Sequence, residues 1–248
     1  MLKEIKLYKG KEIIKFDEGR HIFYDAKGNV LLSVTAATGI IDKSGALMGW
    51  VAKMMGLYLL SEKKKGNDRI TEALVNTAKQ EYRRIKEEAA DIGTEIHKWV
   101  SDWILGKKPE IPDNERVVNG INAFLKFQKE HKLKWIESEK YVYSKKHNYA
   151  GIMDAVAKEG KELVLVDFKS SNGIYDEMRF QVAGYQIAYE EETGKKIDKR
   201  IIARFGKEDG EFEVKELDKD PEDKKVFLAC LDVKRRMKEL SKNNGYRD

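Results

Sequence analysis

The segment Leu163-Val-Leu-Val-Asp-Phe-Lys-Ser170 is an apolar run that ends in a carboxylate and an amine two residues apart. Strand side chains alternate between faces, so Asp167 and Lys169 share one face while Val166 and Phe168 take the other. By itself that spacing is explained by an ion pair at an exposed strand end. A second acid adds weight. Tyr149-Ala-Gly-Ile-Met-Asp-Ala-Val-Ala157 places Asp154 among apolar and small residues, where an unpaired carboxylate is expensive and a cation is expected beside it. If the two runs pair as a hairpin around Glu159-Gly160-Lys161, Asp154 and Asp167 converge on one divalent cation, for which oxygen donors suit magnesium or manganese. A turn or backbone cap made by Asp154 is the simpler alternative.

Two further segments carry polar groups at helical spacing. Gln181-Val-Ala-Gly-Tyr185 sets Gln181 and Tyr185 at i and i+4 on one face, with Ala183 and Gly184 permitting close packing. Gly93-Thr-Glu-Ile-His97 lies in a long helical pattern whose apolar stripe runs Ile85, Ala89, Ile92, Ile96, Val100, Trp103. His97 sits beside that stripe, and alone it reads equally as a hydrogen-bonded histidine at the edge of a core.

Around these residues the expected elements are as follows. Short alternating runs with turn residues at Tyr8-Lys-Gly-Lys11 and Ala26-Lys-Gly-Asn29 predict a β-meander over residues 1–34. Helical patterns near 44–65, 71–105 and 113–131 fill a helical part, residues 35–133. From 134 to 248 the pattern predicts strands at 134–143, 149–158 and 162–169, a helix over 176–193, strands at 197–205 and 211–216, and a helix from Asp220-Pro221. The fold class is α/β, a mixed central sheet flanked by helices. With no repeat and three prolines, residues 1–248 read as a single domain.

Composition narrows the chemistry. A hydrophobic fraction of 41% supports a folded core, and 48 basic against 43 acidic residues leave +5, a hint of a polyanionic partner. Cys230 is the single cysteine, which excludes an internal disulfide and a four-cysteine iron-sulfur cluster. The N-terminus lacks the apolar run of a signal peptide, and Gly45–Leu60 falls short of the roughly 20 residues of a membrane span. A cytoplasmic protein without a membrane partner is expected.

Taken in order, GTEIH, GIMD, VDFKSS and QVAGY resemble the RecB-type branch of the PD-(D/E)XK nucleases, over about residues 93–189. More loosely, Tyr24–Thr35 and Ser138–Tyr143 are similar to segments of phage-encoded members and of mitochondrial genome-maintenance exonucleases. The resemblance implies a restriction-endonuclease-like core and a metal-dependent DNA exonuclease that leaves 5′-phosphates, acting on single-stranded or end-processed DNA in a bacterial or phage-infected cell, in repair or recombination. It implies magnesium or manganese held by His97, Asp154, Asp167 and the Phe168 carbonyl. Lys169 would position or deprotonate the attacking water, Gln181 would orient that network and Tyr185 would contact a phosphate. Ser170, Ser171 and Arg179 are further candidate phosphate contacts.

Lys145 and Lys146 belong to a run of lysines between 126 and 146 that suits a DNA groove, with Trp99, Trp103 and Trp135 as stacking surfaces; a solvated lysine face and core tryptophans are the alternative. No GxxxxGK[ST] is present, so a helicase or single-strand-binding partner would be a separate chain. Competing readings are a structure-specific or restriction-type endonuclease and a silent nucleic-acid-binding subunit. Oligomeric state is not legible.

Overall fold

The computed structural model describes residues 1–217 and 220–243. Leu2–Leu7 (β1), Glu12–Asp17 (β2), Ile22–Tyr24 (β3) and Val30–Ser33 (β4) form the antiparallel meander that the turn residues predict. Alternation collects Ile5, Leu7, Ile14, Phe16, Phe23 and Leu31 into a small core with Tyr143 and Ala150. A five-residue helix follows, Val34–Thr38 (α1), where the sequence reads as the end of a strand. Ser33 is its N-cap, and its hydroxyl accepts the Ala36 amide at 3.0 Å.

The chain divides into two compact units, residues 42–95 and residues 1–41 with 96–248. In the first of these lie Ser44–Lys64 (α2) and most of Glu72–Ile104 (α3). No residue of α2 is fully buried. Its Trp50 ring meets Tyr82 edge-on at 6.3 Å, while Leu47, Met48, Leu57 and Leu60 face solvent. Among the described residues no helix is long and apolar enough to cross a membrane.

The larger unit is built on a mixed sheet of nine strands with helices packed on it. Lys134–Ser144 (β5), Tyr149–Glu159 (β6) and Glu162–Lys169 (β7) run antiparallel in sequence, as the hairpin reading requires. Glu177–Thr193 (α5) returns the chain so that Lys199–Phe205 (β8) lies parallel to β7, and Phe212–Leu217 (β9) closes the edge. Glu115–His131 (α4) precedes β5, and Pro221–Asn243 (α6) follows β9 with Glu222 and Asp223 in its first turn. On one face, α1, α5 and α6 bury Tyr149, Met153, Leu165, Tyr189 and Phe227. A second packing centre joins Phe124, Trp135, Phe168 and Phe205, with ring centroids 5.4–6.2 Å apart.

The ladder around β6 positions the site. One edge of β6 is paired by β5 along its length; the other edge meets β4 at Tyr149 and Ala150, and β7 only from Ala155 onward. Residues 151–154 lie in the gap, where the strands fork. Opposite them, β5 changes parity. Glu137 and Lys140 are three residues apart, yet both reach α5, through Tyr189 and Glu192 respectively. The register against β6 shifts between Trp135 and Glu137, and two residues on Glu139 has a φ of 49°, unusual for a side chain of this size.

Candidate metal centre

Asp154 is the hub. Its Oδ1 lies 3.3 Å from Nδ1 of His97 on α3, and its Oδ2 accepts the Phe168 amide at 2.7 Å. The side chain thus takes the place of the carbonyl that a continued β6–β7 ladder would have offered, which is the backbone contact the simpler reading of Asp154 expects. One turn along α3, Ser101 Oγ lies 3.1 Å from Ser138 Oγ, which donates to the Asp154 carbonyl at 3.1 Å. These two serines pin α3 to β5.

Period two places Asp167 and Lys169 together, 2.6 Å apart, while Phe168 turns to the aromatic cluster. Lys169 donates to Gln181 Oε1 at 3.3 Å, and Gln181 Nε2 donates to the Tyr185 hydroxyl at 3.2 Å. Asp167, Lys169, Gln181 and Tyr185 therefore form one chain of polar contacts across the α5 face. Gly151 makes room for it, because a Cβ there would stand 2.8 Å from the Tyr185 ring and 3.1 Å from Val34. Gly151→Ala is expected to cost about 1–3 kcal/mol and to displace that ring. Thermal melting checks the first effect. A fall in turnover greater than the loss of folded protein checks the second.

The charges are unequal in number. Burial is the largest influence on Asp167 and, with Asp154 beside it, pushes its carboxyl up to about 6 against the pull of Lys169. Burial works the same way on Asp154 but is outweighed by His97, Lys169 and the Phe168 amide, which hold it below the usual carboxylate range. Burial would neutralise Lys169, yet Asp167 and Asp154 more than compensate and keep it protonated; in this setting it is a fixed cation and donor. His97 is likewise raised, burial being overcome by Asp154.

A fourth group was not among the residues singled out from sequence. Among the described residues, His97, Glu139 and Asp154 form the one group of three donors whose ligand atoms all lie within 4.8 Å of one another. Glu139 is an exposed residue, but its carboxyl is pushed up to about 7, first by desolvation and then by Asp154. No sequence signal marks it, since an acid between Ser138 and Lys140 in an alternating strand reads as a surface position.

The residues fit a divalent cation. Asp167 is buried with Oδ1 unpartnered and Oδ2 facing only the Lys169 ammonium at 2.6 Å, and three carboxylates face one lysine and one histidine, an arrangement that carboxylates tolerate when a cation is shared. The candidate ligands would be His97, Glu139, Asp154 and Asp167, with the Phe168 carbonyl expected from sequence as a further donor.

The candidate nucleic-acid contacts are dispersed. Ser170 and Ser171 directly follow β7, and Ser171 Oγ donates to the Gly173 carbonyl at 2.8 Å. Arg179 grips Asp223 at 3.1 and 3.3 Å, and Arg200 joins the same buried carboxylate at 2.8 Å. Tyr185 is almost fully buried. Lys145 pairs with Glu12 at 2.5 Å and the Lys146 amide donates to Glu191 at 2.8 Å. Both lie beyond the far end of β6, five strand residues or about 17 Å from Asp154. Of the tryptophans, Trp99 donates to the Glu110 carbonyl and Trp135 to Gln128. With Trp103 they pack on Phe124; Trp99 is buried, and Trp103 and Trp135 are half-buried against that cluster.

No family model and no curated protein matches the chain. Among solved structures it is similar to a candidate exonuclease from Eubacterium rectale, at 12% identity over 75% of this chain and 74% of that one, with a TM-score of 0.43. It is also similar to an alkaline exonuclease from Laribacter hongkongensis, at 11% identity over 86% and 94% of the two chains and a TM-score of 0.38. The same enzyme in complex with dAMP gives 12% identity, 87% and 93% coverage and a TM-score of 0.37. Likeness at this level says nothing of chemistry, which rests on the side chains around Asp154.

Proposed function

We propose that this chain is a divalent-metal-dependent nuclease that hydrolyses DNA phosphodiesters from an end and leaves 5′-phosphates. The observation that carries hydrolysis is the convergence on Asp154 of a donor group (His97, Glu139), a buried carboxylate (Asp167) and a fixed cation (Lys169). End dependence and product polarity come from the resemblance of the four motifs to RecB-type nucleases.

A magnesium or manganese ion held here would polarise a phosphoryl oxygen and lower the pKa of a bound water. The chain's own residues do the rest. Lys169, held protonated by its carboxylate neighbours, offers a proton donor and positive charge to the phosphoryl oxygens as negative charge builds on them. Gln181 accepts from Lys169 and so fixes the direction of its ammonium group. Tyr185 holds Gln181 from the opposite side and is itself seated by Gly151, which makes its contribution one of alignment. The Phe168 amide keeps Asp154 from rotating.

The test uses linear and circular DNA, each single- and double-stranded, incubated with manganese or magnesium beside an Asp167→Ala control. Loss of the linear substrates alone, abolished in the control, is the expected result. Cutting of circles would make the chain an endonuclease. Tight binding with every substrate intact would make it a silent nucleic-acid-binding subunit and sink the proposal.

A further inference from the structure

Of the tyrosine, phenylalanine and tryptophan side chains among the described residues, Tyr175 alone is exposed, at 49%. It lies on the loop 170–176 that leads directly from Lys169, at the end of β7, into α5. That loop is fastened on both sides. Ile174 packs against the core that includes Met178 and Val182. The Tyr175 carbonyl accepts the Met178 amide at 3.1 Å, and the Tyr175 amide lies 3.4 Å from the sulfur of the same buried methionine. From the sheet, Arg204 donates to the Ser171 carbonyl at 3.5 Å and Lys215 to Asp176 Oδ1 at 3.3 Å. The backbone is thus held while the ring projects. A Cβ at Gly173 would stand 3.9 Å from the tip of that ring, so the glycine leaves its outer end uncovered.

The place of the ring along α5 relates it to Lys169. Hydrogen bonds from the Met178 amide to Tyr175 and from the Arg179 amide to Asp176 carry the helical path back to Tyr175. Six residues separate it from Gln181, the partner of Lys169, which is about 9 Å along the axis. We propose, resting on the nuclease reading of this site, that Tyr175 is a stacking platform for the base of a nucleotide adjoining the scissile phosphate, and that this contact makes the chain favour unpaired strand ends. Every base has a π-face, so an exposed aromatic ring takes any of them without reading sequence. Within a duplex those faces are covered by neighbouring bases, and an unstacked nucleotide is what can present one. A ring on a fastened loop loses little freedom when a base lands on it, which keeps more of the contact as binding. The tryptophans do not offer this, since their rings pack on Phe124.

The test places 2-aminopurine, whose fluorescence is quenched by stacking, at successive positions from each end of a single-stranded oligonucleotide. The full chain is added with chelator, so that nothing is cut. Quenching confined to positions near one end is expected for the unmodified chain, kept in Tyr175→Phe and Tyr175→Trp, and lost in Tyr175→Ala and Tyr175→Leu. With manganese, Tyr175→Ala should raise KM for single-stranded DNA about 5- to 150-fold, and for blunt duplex much less. An abasic nucleotide at the quenched position should raise KM of the unmodified chain similarly and add nothing in Tyr175→Ala. Thermal melting establishes that each variant is folded. No localised quenching, an unchanged KM in Tyr175→Ala, additive losses with the abasic substrate, or full rescue by Tyr175→Leu each overturn the proposal and leave the nuclease reading standing. Quenching that depends on Tyr175, on a chain that cuts no DNA, would instead sink the nuclease reading alone.

Discussion

Replacing Lys169 with alanine is expected to lower the rate of phosphodiester hydrolysis on the order of 10³-fold while manganese binding by the chain is retained or tightened. The two effects separate because Lys169 is the cation of the site rather than one of its ligands. Its ammonium stands 2.6 Å from Asp167, and the carboxylates around it hold it protonated. Without it, charge that develops on the phosphoryl oxygens loses its pre-positioned partner, which removes stabilisation from the transition state more than from the bound substrate. A metal ion, in contrast, loses a like-charged neighbour. Single-turnover rates and a manganese titration on the same preparation check both halves. A rate loss below tenfold, or a loss of manganese equal to that in Asp154→Asn, would show that Lys169 acts through the ligands instead.

The metal-free protein is expected to lose stability as pH rises from 5 to 8, and manganese should restore it. Burial pushes the Asp167 carboxyl up to about 6 in the fold from an ordinary value of 3.8. A carboxyl whose pKa is raised by folding contributes fully below the unfolded value, and that contribution is lost as pH rises through the folded one. Between pH 5 and 8 only the upper part of that window is crossed, which corresponds to on the order of 1 kcal/mol. Glu139, raised from 4.5 to about 7, acts in the same direction, but solvent screening makes its share smaller. His97 is raised as well, so its favourable pairing with Asp154 is present at low pH and lost above its folded value. Asp154, being lowered, acts only in the acid range below 3.8. For a chain of this length the melting temperature should fall by roughly 2–4 °C. Saturation at 100 times the dissociation constant would recover about 2.7 kcal/mol. Calorimetric scans at pH 5, 6, 7 and 8, with chelator and with manganese, check this. A flat profile with chelator would contradict the assignment, and Asp167→Asn should flatten it.

Much of this arrangement is legible in the sequence because its signals are local and periodic. The greasy run ending at Asp167 and Lys169 fixes the strand, its face and the ion pair from period two alone. Gln181 and Tyr185 meet because i and i+4 share a helix face. What is lost is whatever depends on a break in the period. Glu139 comes near His97 on a strand whose register shifts between Trp135 and Glu137, and counting alternation through that shift assigns it wrongly. The helix α1 is hidden because Val34 and Thr35 are β-branched, and Ser33 as N-cap outweighs their preference. Arg179 and the three tryptophans have the composition of DNA contacts, but long-range partners decide their use: Asp223 on α6 for the first, and the Phe124 cluster for the others.

The hydrogen bond from the Phe168 amide to Asp154 has a consequence for observation. Where neighbouring amides in a sheet are tied to carbonyls, whose basicity is constant, this one is tied to an ionisable acid at the fork of two strands. Its proton chemical shift and its exchange with deuterium must therefore follow the charge on Asp154. Protonating the acid or filling its lone pairs draws density away from the amide, and a single backbone resonance, assigned in spectra of the unmodified chain, reports on the occupancy of the whole centre.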